Sequence, residues 1–262
     1  MGMTRQQLTL IAASILLLFG LYFGCDTKPK QQKQLEKSRA LVSESTDISI
    51  LLDEAKQTLK PAQLAEIERQ EQALTQAASD TVRSQVNKEL SGSWYRLGYP
   101  AAAGYYAQQA AELDQTDEAW SIAGTTYLLC LQGASEEKIR AFCANRAVQS
   151  FESAISIAPE NISHRVNLAL CYVENPPPGQ PPMQGINMLR ELNQQYPDNV
   201  IVLNQLARLA IRTGQYDKAI ERLEKALKVE PENPNTNCLM AQALEGSGQP
   251  AKAAGYAAKC PQ

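Results

Sequence analysis

The sequence has little of what most enzyme and metal sites are built from. Histidine occurs once, at His164, and none of the six cysteines belongs to a C-x-x-C pair. A zinc site would need widely spaced thiolates almost alone, and no glycine-rich loop of the kind that cradles phosphate is present. We therefore predict no catalytic site, no metal and no cofactor, and we expect no small-molecule substrate.

Aromatic residues, basic charge and strand-like patterns are also scarce. Aromatic residues make up 6% of the 262 residues, and the formal net charge is -3. Nucleic-acid binding usually requires a basic patch, so no nucleic-acid partner is expected. Long alternations of β-branched residues are missing, whereas Ala, Leu, Gln and Glu are frequent. The chain is predicted to be all-α.

The cysteines allow two interpretations. Six are too few for a disulfide scaffold in a chain of this length, so free and partly buried thiols are the ordinary expectation. A bridge between Cys130 and Cys143, or between Cys238 and Cys260, also fits the sequence if the domain lies in an oxidising compartment.

One long apolar run stands near the start of the chain, LTLIAASILLLFGLYFG over residues 8–24. As a helix it would be roughly 25 Å long, at the short end of what crosses a bilayer. We predict membrane attachment through this run and favour an uncleaved, single-pass N-terminal anchor in a bacterial inner membrane. The alternative is a lipid anchor, because Gly24-Cys25 resembles the end of a bacterial lipoprotein signal, although Tyr22 departs from that pattern. Cys25 would then be the lipidated first residue of an envelope protein.

The side of the membrane is left open by the sequence. More lysines and arginines follow the apolar run than precede it. By the positive-inside rule, an uncleaved anchor would leave the large domain in the cytoplasm. A cleaved signal would place that domain outside.

The stretch from Val200 to Asn233 has the pattern of two short helices joined by a turn at Gly214. Small alanines let the two helices approach closely, and leucines fill the space between neighbouring hairpins. The residues of this pattern are Leu203, Leu206, Ala207, Ile211, Ala219, Leu223 and Ala226, followed by Pro231. This hairpin resembles a tetratricopeptide repeat at nearly every diagnostic position.

The resemblance extends from about Ser84 to Cys260 and includes Trp120-x-x-Ala123-Gly124-x-x-Tyr127, which matches the opening of the repeat consensus. Two repeats carry insertions, one over Leu128–Asn145 and one in the proline-rich stretch 174–183. The predicted organisation is a transmembrane anchor or signal segment over 1–25, a polar linker over 26–45, an N-terminal helical cap over 46–80 and about five repeats over 81–262.

The resemblance implies a right-handed α-solenoid whose concave groove is lined by the first helix of each repeat. Proteins of this kind mostly bind a peptide or a helix of another protein there. The predicted function is a membrane-tethered scaffold for protein–protein interaction, and the alternative is an envelope lipoprotein with a structural or assembly role. The groove-facing residues implied by the alignment are Lys88, Tyr95, Arg96, Thr125, Val166, Leu170, Asn204, Arg208, Arg212 and Gln242.

Two further predictions concern charged side chains. Arg208 and Arg212 are one helical turn apart, so both could face one acidic or C-terminal carboxylate ligand. The ordinary alternative is that they pair with neighbouring acids on the surface. His164 stands near the start of a repeat helix, where we expect it to face solvent.

Overall fold

The computed structural model describes residues 48–176 and 182–260, and within these ranges the chain forms twelve α-helices and no strand. The predicted membrane run at residues 8–24, Cys25 and the linker over 26–45 lie outside the described residues. The helices are α1 (Ile48–Thr58), α2 (Pro61–Gln76), α3 (Asp80–Arg96), α4 (Pro100–Asp114), α5 (Asp117–Gly133), α6 (Glu137–Ile157), α7 (Ile162–Glu174), α8 (Met183–Gln195), α9 (Val200–Arg212), α10 (Tyr216–Val229), α11 (Pro234–Gly246) and α12 (Pro250–Ala257).

Helices α3 to α12 form five consecutive hairpins, each made of a first and a second helix. Every helix in this series packs against the next along the chain. From α5 onward, the first helix of each hairpin also contacts the first helix of the following hairpin. Because each hairpin buries its apolar face against its neighbours, the architecture is an α-solenoid, as the sequence predicted.

The starts of the first helices are fixed by side-chain caps. In each case an oxygen of the capping side chain accepts a hydrogen bond from a backbone N–H in the first turn, which has no partner inside the helix. The capping residues are Ser79, Thr116, Asn161, Asn199 and Asn233. Asn199 and Asn233 stand one repeat length apart, so the same local chemistry starts successive repeats.

Glycine makes the turn inside the first, fourth and fifth hairpins. Gly98, Gly214 and Gly248 have φ angles of 87°, 70° and 80°, a region that other residues rarely adopt. The residue after each glycine donates its backbone N–H to a carbonyl five residues earlier, as Gln215 does to Ala210 at 2.8 Å. This closes the first helix and sets the direction of the second.

The second hairpin is longer than its neighbours because both of its helices extend into the predicted insertion. Helix α5 has 17 residues and α6 has 21. A disulfide joins Cys130, near the end of α5, to Cys143, near the start of α6. Arg140 closes the turn by donating a hydrogen bond to the carbonyl of Leu131 at 3.0 Å.

A second disulfide joins Cys238 of α11 to Cys260, beyond the end of α12. Cys171 is a buried free thiol. The expectation of free cysteines is therefore wrong for four residues. The alternative predicted from the sequence, a bridge within each of these two pairs, is what the structure has, because the hairpin geometry brings each pair together.

Close packing within and between hairpins depends on residues without bulk. A Cβ atom on Gly104 of α4 would lie 2.5 Å from a ring carbon of Tyr127, and one on Gly124 of α5 would lie 2.8 Å from the ring of Phe151. Both rings are fully buried. Glycine therefore allows an aromatic side chain of the next helix to fill the space between the two helices.

Two helices precede the hairpins. Helix α2 packs on α3, and α1 packs on α4. The carboxylate of Glu71 on α2 joins these layers, because it accepts hydrogen bonds from Lys56 of α1 at 2.7 Å and from Tyr106 of α4 at 2.8 Å. Among the helices described in residues 48–176 and 182–260, none combines the length and apolar character needed to span a bilayer.

Candidate functional site

Seven of the ten predicted groove residues have exposed side chains on the first helices of four hairpins. We call this set the first-helix face. Its members are Lys88, Tyr95 and Arg96 of α3, Thr125 of α5, Arg208 and Arg212 of α9, and Gln242 of α11. Leu170 of α7 is half-buried, so we do not count it as a member of this set.

Two of the predicted groove residues are buried, so we remove them from the candidate surface. Val166 is 1% exposed and belongs to an apolar cluster that includes Val202 and Leu206 of α9. Asn204 is 3% exposed and donates its amide N–H to the hydroxyl oxygen of Thr236 at 2.8 Å. Both side chains hold adjacent first helices together and do not reach solvent.

Several charged members of the first-helix face are bonded within the chain. Lys88 forms an ion pair with Asp114 at 2.7 Å, and this contact together with the hydroxyl of Ser84 lowers the pKa of Asp114 below its ordinary value. Arg212 forms an ion pair with Glu174 of α7 at 2.7 Å. These pairs fix the positions of the cations while leaving their side chains about half exposed.

Arg208 and Arg212 differ in their surroundings. Arg212 pairs with a neighbouring acid, which is the ordinary alternative considered for both. Arg208 has a weaker contact, a hydrogen bond of 3.3 Å from its guanidinium to the amide oxygen of Asn235. Of the two, Arg208 is the one that an acidic partner can engage without breaking an ion pair.

Exposed apolar side chains add to the first-helix face. Tyr95 is 53% exposed, and two residues that the sequence interpretation missed, Ile122 and Leu129 of α5, are 61% and 43% exposed. The signal for Leu129 was available, because it follows Gly124 by five residues, as Arg212 follows Ala207. Exposed aromatic and aliphatic groups are common anchors at protein interfaces.

His164 does not face solvent as expected. It is 3% exposed, and its Nε2 atom lies 2.9 Å from a carboxylate oxygen of Asp117 on α5. The hydrogen bond to His164 lowers the pKa of Asp117 below its ordinary value, although burial acts to raise it. The pair joins the first helices of the second and third hairpins. In the described part of the chain no cluster of His, Cys, Asp and Glu could hold a metal ion.

Two family models match the chain. One, described as a tetratricopeptide repeat, matches residues 184–225, and another, described as a TPR repeat, matches residues 210–248. The Vi polysaccharide export protein VexE of Salmonella typhi is 32% identical over 103 residues, which are 39% of this chain and 16% of VexE. The aligned part is thus a small fraction of that relative.

Solved structures also resemble this chain. A thermophilic tetratricopeptide repeat protein of Thermus thermophilus is 21% identical, with 67% of this chain and 89% of that chain covered and a TM-score of 0.49. A MamA fragment (41-end) from Desulfovibrio magneticus RS-1 is 16% identical, with 67% and 92% covered and a TM-score of 0.39.

The matched models and the observed hairpins indicate the same kind of helical repeat. The matches run from α8 of the third hairpin to α11 of the fifth, and other hairpins precede them in α3 to α6. Such repeats support a role as a scaffold for protein–protein interaction. The chain contains tetratricopeptide repeats over residues 184–248.

Proposed function

We propose that this protein is a membrane-tethered scaffold that binds a peptide or helix of a partner protein along the first-helix face. The observation that carries the proposal is the exposure of predicted groove residues on four first helices, while their neighbours in the same helices are buried. Tyr95, Ile122 and Leu129 would supply apolar anchors, and Arg208 would supply charge. The mechanism is passive, because the tether raises the local concentration of the binding surface.

The tether is residues 8–24, and we propose that the repeat domain lies on the oxidising side of the membrane. Two disulfides support this side, because such bonds persist in the periplasm or outside the cell and are rare in the cytoplasm. The lysine-rich flank of the apolar run favours the opposite side, but its effect is only a bias on orientation, and we give the two disulfides more weight.

A second candidate is an envelope lipoprotein, lipidated at Cys25, with a structural or assembly role. The disulfides support it as well, since a lipoprotein domain is exported. The likeness to part of VexE, a protein named for polysaccharide export, is consistent with an envelope setting. The two candidates share the same binding surface and differ in how the chain is held.

The experiment compares co-purification from the native host. Tagged full-length protein is extracted in detergent, and bound proteins are quantified for the wild type and for Tyr95→Ala combined with Arg208→Ala. We expect recovery of the specific partner to fall at least about tenfold, as the loss of one anchor and one charged contact predicts. The matched control is Glu152→Ala, at an exposed position on the second helix α6. Equal loss in both variants would contradict the proposal.

A further inference from the structure

A small cavity lies between the third and fourth hairpins, bounded by α7, α8, α9 and α10. Its volume is about 150 Å³, and its apolar lining includes Ile186 of α8 with Leu206 and Leu209 of α9. An apolar cavity of about this volume can hold one benzene-sized group. It therefore has room for a single leucine-sized side chain.

Three arginines line the same cavity, one each from α8, α9 and α10. Arg212 of α9 is bonded to Glu174. Arg222 of α10 donates a hydrogen bond to the carbonyl of Lys218 at 3.3 Å, and neither Arg222 nor Arg190 of α8 forms an ion pair with any residue that the structure describes. Two cations without a bonded acid thus border one apolar cavity, in a chain whose net charge is negative.

The two unpaired arginines affect each other. Burial lowers the pKa of the half-buried Arg222, the neighbouring carboxylate of Glu221 offsets part of that effect, and the charge of Arg190 lowers it further. Arginine nevertheless keeps its charge in proteins. An acidic group arriving from outside would therefore be attracted to this position and would relieve the repulsion between the two cations.

We propose that this cavity docks an acidic segment of a partner protein, which inserts one leucine-sized side chain and places an adjacent Asp or Glu on Arg190 and Arg222. The apolar lining favours such a segment over a free inorganic anion, because an anion alone would leave the cavity unfilled and would gain nothing from Ile186 and Leu209. Guanidinium groups suit carboxylates because they present several donors in a fixed plane. The inference rests on the proposed scaffold function and adds a contact site of stated chemistry to it.

The test uses full-length protein in detergent, labelled at isoleucine and leucine methyl groups for NMR. The probe is a blocked peptide with the core Glu-Leu-Glu, compared with the cores Gln-Leu-Gln and Glu-Gly-Glu. We expect the first peptide to shift the methyl signals of Ile186 and Leu209, and each control peptide to bind at least about fivefold more weakly, because one lacks the charges and the other lacks the anchor.

Variants assign the binding to its residues. Arg190→Gln with Arg222→Gln is expected to weaken Glu-Leu-Glu binding at least about fivefold, and Arg190→Glu, at an exposed position, is expected to weaken it further by repulsion. The second variant keeps the test decisive if the first fails to fold. The matched control Arg69→Gln removes an exposed arginine of α2, outside both the cavity and the first-helix face, and should leave binding unchanged.

Three results would overturn the inference. If the three peptides bound with equal affinity, the protein would recognise neither the glutamates nor the leucine of Glu-Leu-Glu. A shift of the Leu209 methyl signals on adding inorganic phosphate, without any response of Ile186 to Glu-Leu-Glu, would identify a simple anion site. Loss of binding in Arg208→Gln alone would assign acidic peptides to the first-helix face, which would leave the proposed function intact while removing the cavity from it.

Discussion

Cys130 and Cys143 form a disulfide across the turn of the second hairpin, with their Cα atoms 6.0 Å apart. This disulfide links two positions near the ends of the insertion that makes the second hairpin longer than a regular repeat. Cys238 and Cys260 form the corresponding link at the fifth hairpin, where α12 has only eight residues. Covalent links therefore stand at the two hairpins whose helices depart most in length from the regular repeat.

Reduction is expected to destabilise the repeat domain. Each disulfide closes a short loop, since the paired positions have sequence separations of 13 and 22. Loops of about this length predict a loss of roughly 3 kcal/mol in the free energy of unfolding for each bond removed. Urea unfolding followed by circular dichroism, with and without a thiol-free reductant, measures the loss. A variant with serine at all four positions should not respond to the reductant. Identical unfolding midpoints for the oxidised and reduced wild type would contradict the prediction.

Cys171 is expected to resist alkylation until the protein unfolds. Its thiol is buried, and burial raises its pKa to about 12, so almost none of it is the reactive thiolate at pH 8. Iodoacetamide should label it only after denaturation, whereas the other four described cysteines should stay linked in denaturant without reductant. Peptide mapping by mass spectrometry distinguishes the five sites. Labelling of Cys130 or Cys238 under those conditions would show that their disulfides are absent from the native protein.

Adding one methyl group at Gly104 is expected to cost stability. In Gly104→Ala the new Cβ would lie 2.5 Å from the ring of Tyr127, which is fully buried, so the ring or the helix would have to shift. Such overpacking typically lowers the free energy of unfolding by about 1–3 kcal/mol. Gly255→Ala is the matched control, because this helical glycine has nothing within 4 Å of the new atom. The control should be neutral or stabilise by up to about 1 kcal/mol. Equal effects in the two variants would argue against the close contact.

Asn204 is expected to act on stability and not on partner binding. Asn204→Ala removes a buried hydrogen bond and leaves the hydroxyl of Thr236 with fewer partners, which should lower the free energy of unfolding by about 1–3 kcal/mol. Gln242→Ala, at an exposed position of the first-helix face, should leave stability within about 0.5 kcal/mol of the wild type. Thermal unfolding of both variants gives the comparison. A stable Asn204→Ala variant that loses the partner would return Asn204 to the binding surface.

The hairpins could be predicted from the sequence because their signals are local. The turn at Gly214 and the small residues Ala207 and Ala219 follow the repeat period, and the structure has a hairpin at that position. Burial of groove positions was harder to predict. The register assigns Val166 and Asn204 to the groove side of their helices, but their depth depends on how closely the next first helix packs.

The repeat pattern of the sequence does not predict contacts between residues that are far apart in the chain. The partner of His164 is Asp117, 47 residues earlier, and it lies on the first helix of the preceding hairpin. The arginines of the small cavity come from three different helices, and only their packing brings Arg190 and Arg222 together. Repeat periodicity specifies each hairpin, whereas a site between hairpins depends on the way in which the hairpins stack.

Site-specific photo-crosslinking in the native host tests the central claim most directly. A photoreactive phenylalanine analogue replaces Thr125, an exposed residue of the first-helix face, or Glu152, an exposed residue on the second helix of the same hairpin. We expect one partner protein to be crosslinked from position 125 and not from position 152. Tyr95→Ala should reduce the yield of the crosslink from position 125. Crosslinking of the same partner from position 152 alone, or from both positions equally, would contradict binding along the first-helix face.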